Sequence, residues 1–219
     1  MGEVKKIMSR LLDAGLEQLT VIVYKMGEIA EKTVNLSVSA FMLGKDATRE
    51  VKGFSEVLVA LTVEIEEKAF ALIAKYQPVA SDLRIINSYM KIAYDFERYG
   101  RYAWDMSLTH KKLGGLENCA LNWDSMEQLT KKVIQMVSKS IRALKNHDAT
   151  VAKSLAKTEK EVDEIFFKYI DQLAASPTQT KCSLCNLLVA RFLERIADHT
   201  TYVGEAIIYI ATGKKTTLR

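Results

Sequence analysis

The sequence predicts an all-α protein built from two tandem antiparallel three-helix bundles, with six long helices in all. Of the 219 residues, 48% are hydrophobic, whereas only 2 are proline and 10 are glycine. Turn-forming residues are therefore too few for a many-stranded β fold. Apolar residues recur at spacings of three and four over long stretches, which is the period of an amphipathic helix. Landmarks of the first half also recur, in the same order, in the second half.

The first three helices are predicted within residues 1–115. The first covers residues 5–41, and the turn at 44–46 ends it, because glycine favours helix C-termini and aspartate favours N-caps. The second helix extends to Tyr76, where a Gln-Pro pair follows and breaks it, since proline cannot continue a helix. The third carries an apolar stripe and ends near Gly114.

The second three helices are predicted within residues 116–219, after a polar connector. The fourth covers about 125–145. The fifth shows a clear helical period over 151–173, and the proline at position 177 ends it. The sixth contains residues 188–213 and carries Glu194 and Asp198 four residues apart.

A tandem duplication accounts for the order of these elements. Three landmarks recur at offsets of 102, 99 and 97 residues, respectively. They are the Asp-Ala-Thr triplets at Asp46 and Asp148, the prolines Pro78 and Pro177, and the Glu-Arg pairs at Glu97 and Glu194. A repeat of this length indicates a duplicated structural unit. Because the connections between consecutive helices are short, neighbouring helices are expected to be antiparallel.

Composition and local patterns exclude several classes of function. The net charge of +4 is spread along the chain without a basic stripe, so no nucleic-acid partner is expected. No segment approaches the roughly 18 uncharged residues of a membrane span, so membrane contact is expected only through partners. An odd count of three cysteines and no apolar signal region indicate a reducing compartment, and a cytoplasmic location is expected. No nucleophile elbow or phosphate-binding loop is present, and the sequence predicts no enzyme.

Pairs of acidic residues on the last two predicted helices are candidate metal ligands. Glu159 and Asp163 are four residues apart, and so are Glu194 and Asp198, which places each pair on one helix face. If the two helices are antiparallel neighbours, the four carboxylates face each other and could hold a hard or borderline metal ion. The alternative is that they are solvated helix faces, paired with nearby basic residues such as Lys157, Lys160 and Arg195.

The histidines and cysteines are weaker candidates. His199 adjoins Asp198 but lies on another helix face, and no second histidine follows at ligand spacing. Cys182 and Cys185 have CxxC spacing, which fits half of a zinc site, a redox pair, or two small half-buried residues in the first turn of a helix. The last interpretation is preferred, since Cys119 is the only possible third thiolate.

Taken together, the motifs resemble the signature of the PhoU family. Residues 78–84 (PVASDLR) and 95–98 (DFER) are similar to the start and the core of its first copy. Residues 190–199 (ARFLERIADH) resemble the second copy, and residues 159–163 (EKEVD) resemble the acidic element of the middle helix. The resemblance covers almost the whole chain and includes the duplication, so the chain is identified as a member of this family.

The resemblance implies a fold of two three-helix bundles, commonly dimeric, and a cytoplasmic regulator rather than an enzyme. It implies that the protein restrains phosphate uptake by acting on the nucleotide-binding subunit of the phosphate-specific ABC transporter. A phosphate-sensing histidine kinase is a further implied partner. Some members of the family bind iron, zinc, manganese or magnesium through E/D-x-x-x-D motifs.

The two copies differ in how well they keep the acidic motif. In the first copy, Arg101 stands where the motif has an acid, and a guanidinium there would compete with a cation. Weaker first-copy candidates for metal ligation are Glu66, Glu97 and Asp105. The second copy keeps all four acids, and there the family resemblance favours a metal site. A rival interpretation is a carboxylate-bridged di-metal enzyme. Such enzymes need Glu-x-x-His pairs, and Ala197 occupies the position three residues after the motif glutamate.

Overall fold

The chain folds into helices throughout the residues that the computed structural model describes, which are 2–113, 123–175 and 180–218. This part of the chain contains helices and no strand, which confirms the predicted all-α class. The helices are α1 (Gly2–Met42), α2 (Thr48–Tyr76), α3 (Ala80–Leu113), α4 (Trp123–Asn146), α5 (Ala149–Lys153), α6 (Leu155–Ala174) and α7 (Lys181–Thr212). None of them combines the length and the apolarity that a bilayer crossing requires.

The fifth predicted helix is divided at Ser154 into the short α5 and the longer α6. Asp148 caps α5, because its carboxylate accepts hydrogen bonds from the backbone N–H groups of Thr150 and Val151 at 2.8 and 3.0 Å. The Ser154 hydroxyl donates to the Val151 carbonyl oxygen at 2.6 Å. Such side-chain bonding to the preceding turn bends helices. The six predicted helices therefore correspond to α1 to α4, the α5–α6 pair and α7.

Helices α1, α2 and α3 pack against one another around a buried apolar core. Leu58 and Ile65 of α2 and Ile92 and Phe96 of α3 are fully buried in it. Gly100 of α3 allows close approach of α2, because a Cβ atom at this position would collide with the side chain of Leu58. Helix α4, the α5–α6 pair and helix α7 form the second three-helix unit in the same way.

The two units share one continuous core rather than two separate ones. Helix α3 lies along α7 in the most extensive helix–helix contact of the described chain, and α1 also packs on α4. Polar contacts cross the same boundary, since the Tyr99 hydroxyl lies 3.2 Å from the Ser140 Oγ atom. The boundary proposed at residues 115/116 falls within 114–122, outside the described residues, and the division into two domains remains a prediction.

The segment after α7 folds back onto that helix. Gly213 ends α7 in the left-handed conformation, with φ of +70°, which glycine adopts without steric strain. The backbone N–H of Leu218 then donates to the Glu205 carboxylate at 2.9 Å. The Leu218 side chain is buried, and its Cδ1 atom would lie 3.0 Å from a Cβ atom placed on Gly204. The segment 213–218 is thus held at a fixed place beside α7.

Candidate functional site

Three of the four predicted carboxylates meet between α6 and α7. One oxygen atom from each of Glu159, Asp163 and Asp198 lies within 4.8 Å of the other two. Glu159 is 4% exposed and Asp198 is fully buried, whereas Asp163 is half-buried. Acids four residues apart on α6 project from the same face, and that face contacts α7. We call these three residues the carboxylate group.

Glu194, the fourth predicted ligand, points instead to a neighbouring arginine. The Arg191 Nη1 atom donates to its carboxylate at 2.7 Å, and Glu194 is not one of the three residues whose oxygens converge. Burial raises the pKa of Glu194 to about 7, and the negative charges of Asp198 and Asp163 add to this effect, although Arg191 and Arg195 oppose it. The pKa of Glu194 therefore depends in part on the charge of the carboxylate group, although Glu194 is not one of its members.

Arg195 connects the carboxylate group to the first repeat. Its Nη1 atom donates to Asp198 Oδ2 at 2.8 Å. The guanidinium group also donates a hydrogen bond to the Tyr102 hydroxyl oxygen of α3, to which Arg98 donates as well, at 3.1 Å. Although burial opposes the shift, these two guanidinium groups lower the pKa of Tyr102. The predicted pairing of the acids with a nearby arginine is therefore present, and it engages one of the three carboxylates.

The first repeat does not assemble an equivalent group. Arg101 Nε lies 3.3 Å from Asp105 Oδ2, and its guanidinium also stacks over the Trp104 ring. Glu66 is exposed and Glu97 is half-buried on different helices. Over the described ranges, no set of three acids, histidines or cysteines other than the carboxylate group converges on one point. Arg101 thus occupies the motif position of the first repeat, and its positive charge is paired with Asp105.

His199 faces the first repeat, away from the carboxylate group. Its Nδ1 atom lies 2.7 Å from Asp95 Oδ1 of α3, and both side chains are buried. Burial raises the pKa of Asp95, and the hydrogen bond with His199 opposes that shift. Sequence reasoning missed this contact, since the partners are 104 residues apart. The only available signal was that each residue lies in one of the two repeated motifs.

Aromatic rings surround the buried histidine. The rings of Tyr94, Tyr102 and Tyr202 lie 6.3, 5.7 and 5.4 Å from that of His199, between centroids. The repeat offset of 97 residues relates position 95 to Phe192 and position 102 to 199. Tyr102 stacks on Phe192 with centroids 6.3 Å apart. The contact of Asp95 with His199 and the contact of Tyr102 with Phe192 therefore join equivalent positions of the two repeats. The first contact is polar and the second is aromatic.

The CxxC residues do not act as a pair. Cys185 is a free, buried thiol whose pKa is raised by burial, and Cys182 is half-buried. Burial of the Cys185 thiol fits the preferred interpretation of small residues in the first turn of a helix. Cys119 lies outside the described residues.

Replacing Glu194 by Gln tests the charge of the carboxylate group. The pKa of Glu194 is raised from 4.5 to about 7. Between these two pH values, the folded protein therefore keeps a proton on Glu194 that the unfolded chain releases. The free energy of unfolding of the wild type, relative to Glu194→Gln, should therefore fall by up to about 3 kcal/mol as the pH rises through this window. Denaturant titrations of both proteins with chelator present, from about pH 4.5 to about pH 8, measure this difference.

Glu161→Gln is the matched control for this titration. Glu161 lies on the neighbouring helix α6, and the Lys132 ammonium, whose Nζ atom is 2.6 Å away, lowers its pKa. A lowered pKa contributes stability above the unfolded value and loses it only as the pH falls, so this control should show no decline above pH 4.5. If the difference in free energy of unfolding between the wild type and Glu194→Gln does not vary with pH, the account of the site is contradicted.

Comparison with known proteins agrees with the geometry. The family model described as the PhoU domain matches residues 23–108 and again residues 126–207. A phosphate-specific transport system accessory protein PhoU homolog of Clostridium acetobutylicum is 30% identical over 215 residues, covering 95% of this chain and 98% of that protein. A protein of the same name from Caulobacter vibrioides is 33% identical over 208 residues, covering 92% of this chain and 90% of its own length.

Solved structures show the same fold. The crystal structure of PhoU from Pseudomonas aeruginosa matches with a TM-score of 0.87 at 28% identity, covering 92% of this chain and 99% of that one. These relatives are named as PhoU proteins, and the homologues as accessory proteins of a transport system, which agrees with the prediction of a regulator rather than an enzyme. Two matches to one domain also confirm the tandem duplication. The chain belongs to the PhoU family.

Proposed function

We propose that this protein is an accessory regulator of phosphate-specific transport that restrains phosphate uptake when phosphate is plentiful. The observation that carries the proposal is the alignment of nearly the whole chain with relatives named as accessory proteins of that transport system. In this proposal the protein acts in the cytoplasm as a homodimer and docks on the nucleotide-binding subunit of the phosphate ABC transporter. A phosphate-sensing kinase is a second proposed partner.

The carboxylate group is the proposed site of a divalent or iron-type metal ion. Glu159, Asp163 and Asp198 offer three oxygen donors within 4.8 Å of one another in a largely buried setting. An all-oxygen donor set suits hard cations, so manganese or magnesium fits better than zinc, with iron also possible for carboxylate ligands. Burial is the main cause of the raised pKa of Glu194, and a bound cation would neutralise the charges of Asp198 and Asp163 that add to it. It would also link α6 to α7.

In this proposal a bound ion stabilises the surface that docks on the transporter. Helix α6 carries the exposed Glu164 and the half-buried Glu161 on either side of Asp163. A cation between α6 and α7 would fix how this acidic helix lies on the rest of the bundle. Because charged surfaces select their partners by complementary potential, the docking surface is expected to meet a basic patch of the partner.

Metal content measured by elemental analysis tests the metal part of this proposal. The wild type, purified untagged and without chelator, should carry stoichiometric metal, and Asp198→Asn should carry none. The substitution preserves shape while removing one ligand charge. Arg101→Ala is the matched control, because Arg101 occupies the equivalent position of the first repeat and should leave the metal content unchanged. Equal metal content in all three proteins, or none in any, would contradict the proposed site.

Phosphate uptake measured in cells tests the regulatory part. Cells that lack this chain, grown with excess phosphate, should take up radiolabelled phosphate faster than the parent strain, since the restraint on the transporter is lost. Expression of the wild type should restore the slower rate. If Asp198→Asn is folded but fails to restore it, the carboxylate group is needed for docking. Unchanged uptake on removing the chain would refute the regulatory proposal.

A further inference from the structure

A cleft of about 620 Å³ lies along the boundary between α3 and α7, separate from the carboxylate group. Small-molecule pockets in proteins span roughly 300–1,000 Å³, so this cleft has the size of a ligand site. The α3 wall contributes Ser88, Lys91 and Tyr94, and the α7 wall contributes residues 202–209. The carboxylate group lies between α6 and α7, and none of its three residues lines the cleft.

A third wall comes from residues 215–217. This segment is fixed at both ends, by the turn at Gly213 and by the buried side chain of Leu218. The hydrogen bond from the Leu218 backbone N–H to Glu205 holds it beside the cleft. The backbone of Lys215 is thereby held at the cleft, and its exposed side chain is among the lining residues.

Aromatic rings and two lysines line this cleft. Tyr94, 53% exposed, comes from α3, while the half-buried Tyr202 and Tyr209 come from α7. Lys91 and Lys215 are both exposed, and within the described residues neither has a carboxylate at salt-bridge distance. Phenol rings stack on planar ligand rings, and lysine ammonium groups bind phosphoryl oxygens as point charges.

The cleft also contains hydrogen-bonding groups suited to the polar edge of a base. Ser88 is 1% exposed, and its Oγ atom has no hydrogen-bond partner in the described part of the chain. A buried hydroxyl without a partner is unfavourable unless a ligand or water satisfies it. Asp95 and Glu205 are the two carboxylates of the cleft, and they are already engaged by His199 and by the Leu218 N–H. Their remaining lone pairs can accept from an exocyclic amine.

We propose that this cleft binds a nucleotide, with its base against the tyrosine rings and its phosphates at Lys91 and Lys215. A nucleotide is the common ligand class that presents a planar ring, a polar base edge and a phosphoryl chain together. A free phosphate ion would use only the lysines, and a nucleoside would use only the rings and the polar edge. This role goes beyond the regulation of transport and would make the protein responsive to a nucleotide.

Isothermal titration calorimetry of the full chain tests the proposal with ATP, AMP, adenosine and inorganic phosphate. Chelator is included so that no metal bridges the ligand to the carboxylate group. ATP should bind saturably at one site per chain, and adenosine and inorganic phosphate should each bind at least about tenfold more weakly, since each lacks one set of contacts. Absence of saturable ATP binding, or phosphate binding as tight as that of ATP, would overturn the proposal.

Exposed residues supply variants that leave the fold intact. Tyr94→Ala should weaken ATP binding by about tenfold through lost stacking, and Lys91→Gln and Lys215→Gln should each do so by about tenfold through lost phosphate contacts. Lys52→Gln is the matched control, because Lys52 is an exposed lysine of α2 that pairs with Glu56. ATP binding that survives all three cleft substitutions, or that falls equally in the control, would refute the assigned site.

Discussion

The buried hydrogen bond between Asp95 and His199 determines how the two repeats meet. Removing a carboxylate from water is unfavourable unless a partner replaces the lost hydration. At 2.7 Å the Nδ1 atom of His199 supplies that partner from the other repeat. The hydrophobic effect alone would tolerate several positions of α3 along α7, because it is non-directional. A directional buried contact selects one of them.

The carboxylate group and the cleft both depend on that position of α3 on α7. Asp95 lines the cleft that α3 and α7 form together. Further along α3, Tyr102 receives hydrogen bonds from Arg98 and Arg195, and Arg195 in turn donates to Asp198. A shift of α3 by one helical turn, about 5.4 Å, would separate these partners. The carboxylate group and the cleft are therefore connected through the same helix pair.

The duplication explains why only one acidic site is assembled. Positions 101 and 198 are equivalent in the two repeats, and they hold an arginine and an aspartate. In the first repeat the arginine forms an ion pair with Asp105 at 3.3 Å, and no carboxylates converge there among the described residues. In the second repeat three carboxylates converge. The first repeat thus has an ion pair at the position where the second repeat contributes Asp198 to the carboxylate group.

Local periodicity was sufficient to predict the helices, and recurring landmarks predicted the duplication. The expectation that the last two long helices are antiparallel neighbours was also needed to bring Glu159 and Asp163 to Asp198. Spacing of four residues fixes a shared helix face before any tertiary structure is known. Spacing could not predict that Glu194 turns to Arg191, because that outcome depends on side-chain rotamers and on the local charge balance. The contact of His199 with the first repeat depends on packing between distant segments, which no local pattern encodes. The break at Ser154 likewise arises from a side-chain bond to the preceding turn.

A double-mutant cycle on Asp95 and His199 tests the central claim most directly. The free energy of unfolding is measured for the wild type, Asp95→Leu, His199→Phe and the double variant. Each single substitution leaves a buried polar group without its partner and should destabilise the protein by about 3–5 kcal/mol. The double variant should lose far less than the sum, because two apolar side chains can pack where the pair was. Effects that add within about 0.5 kcal/mol would show that the contact does not fix the repeats, and would contradict the account.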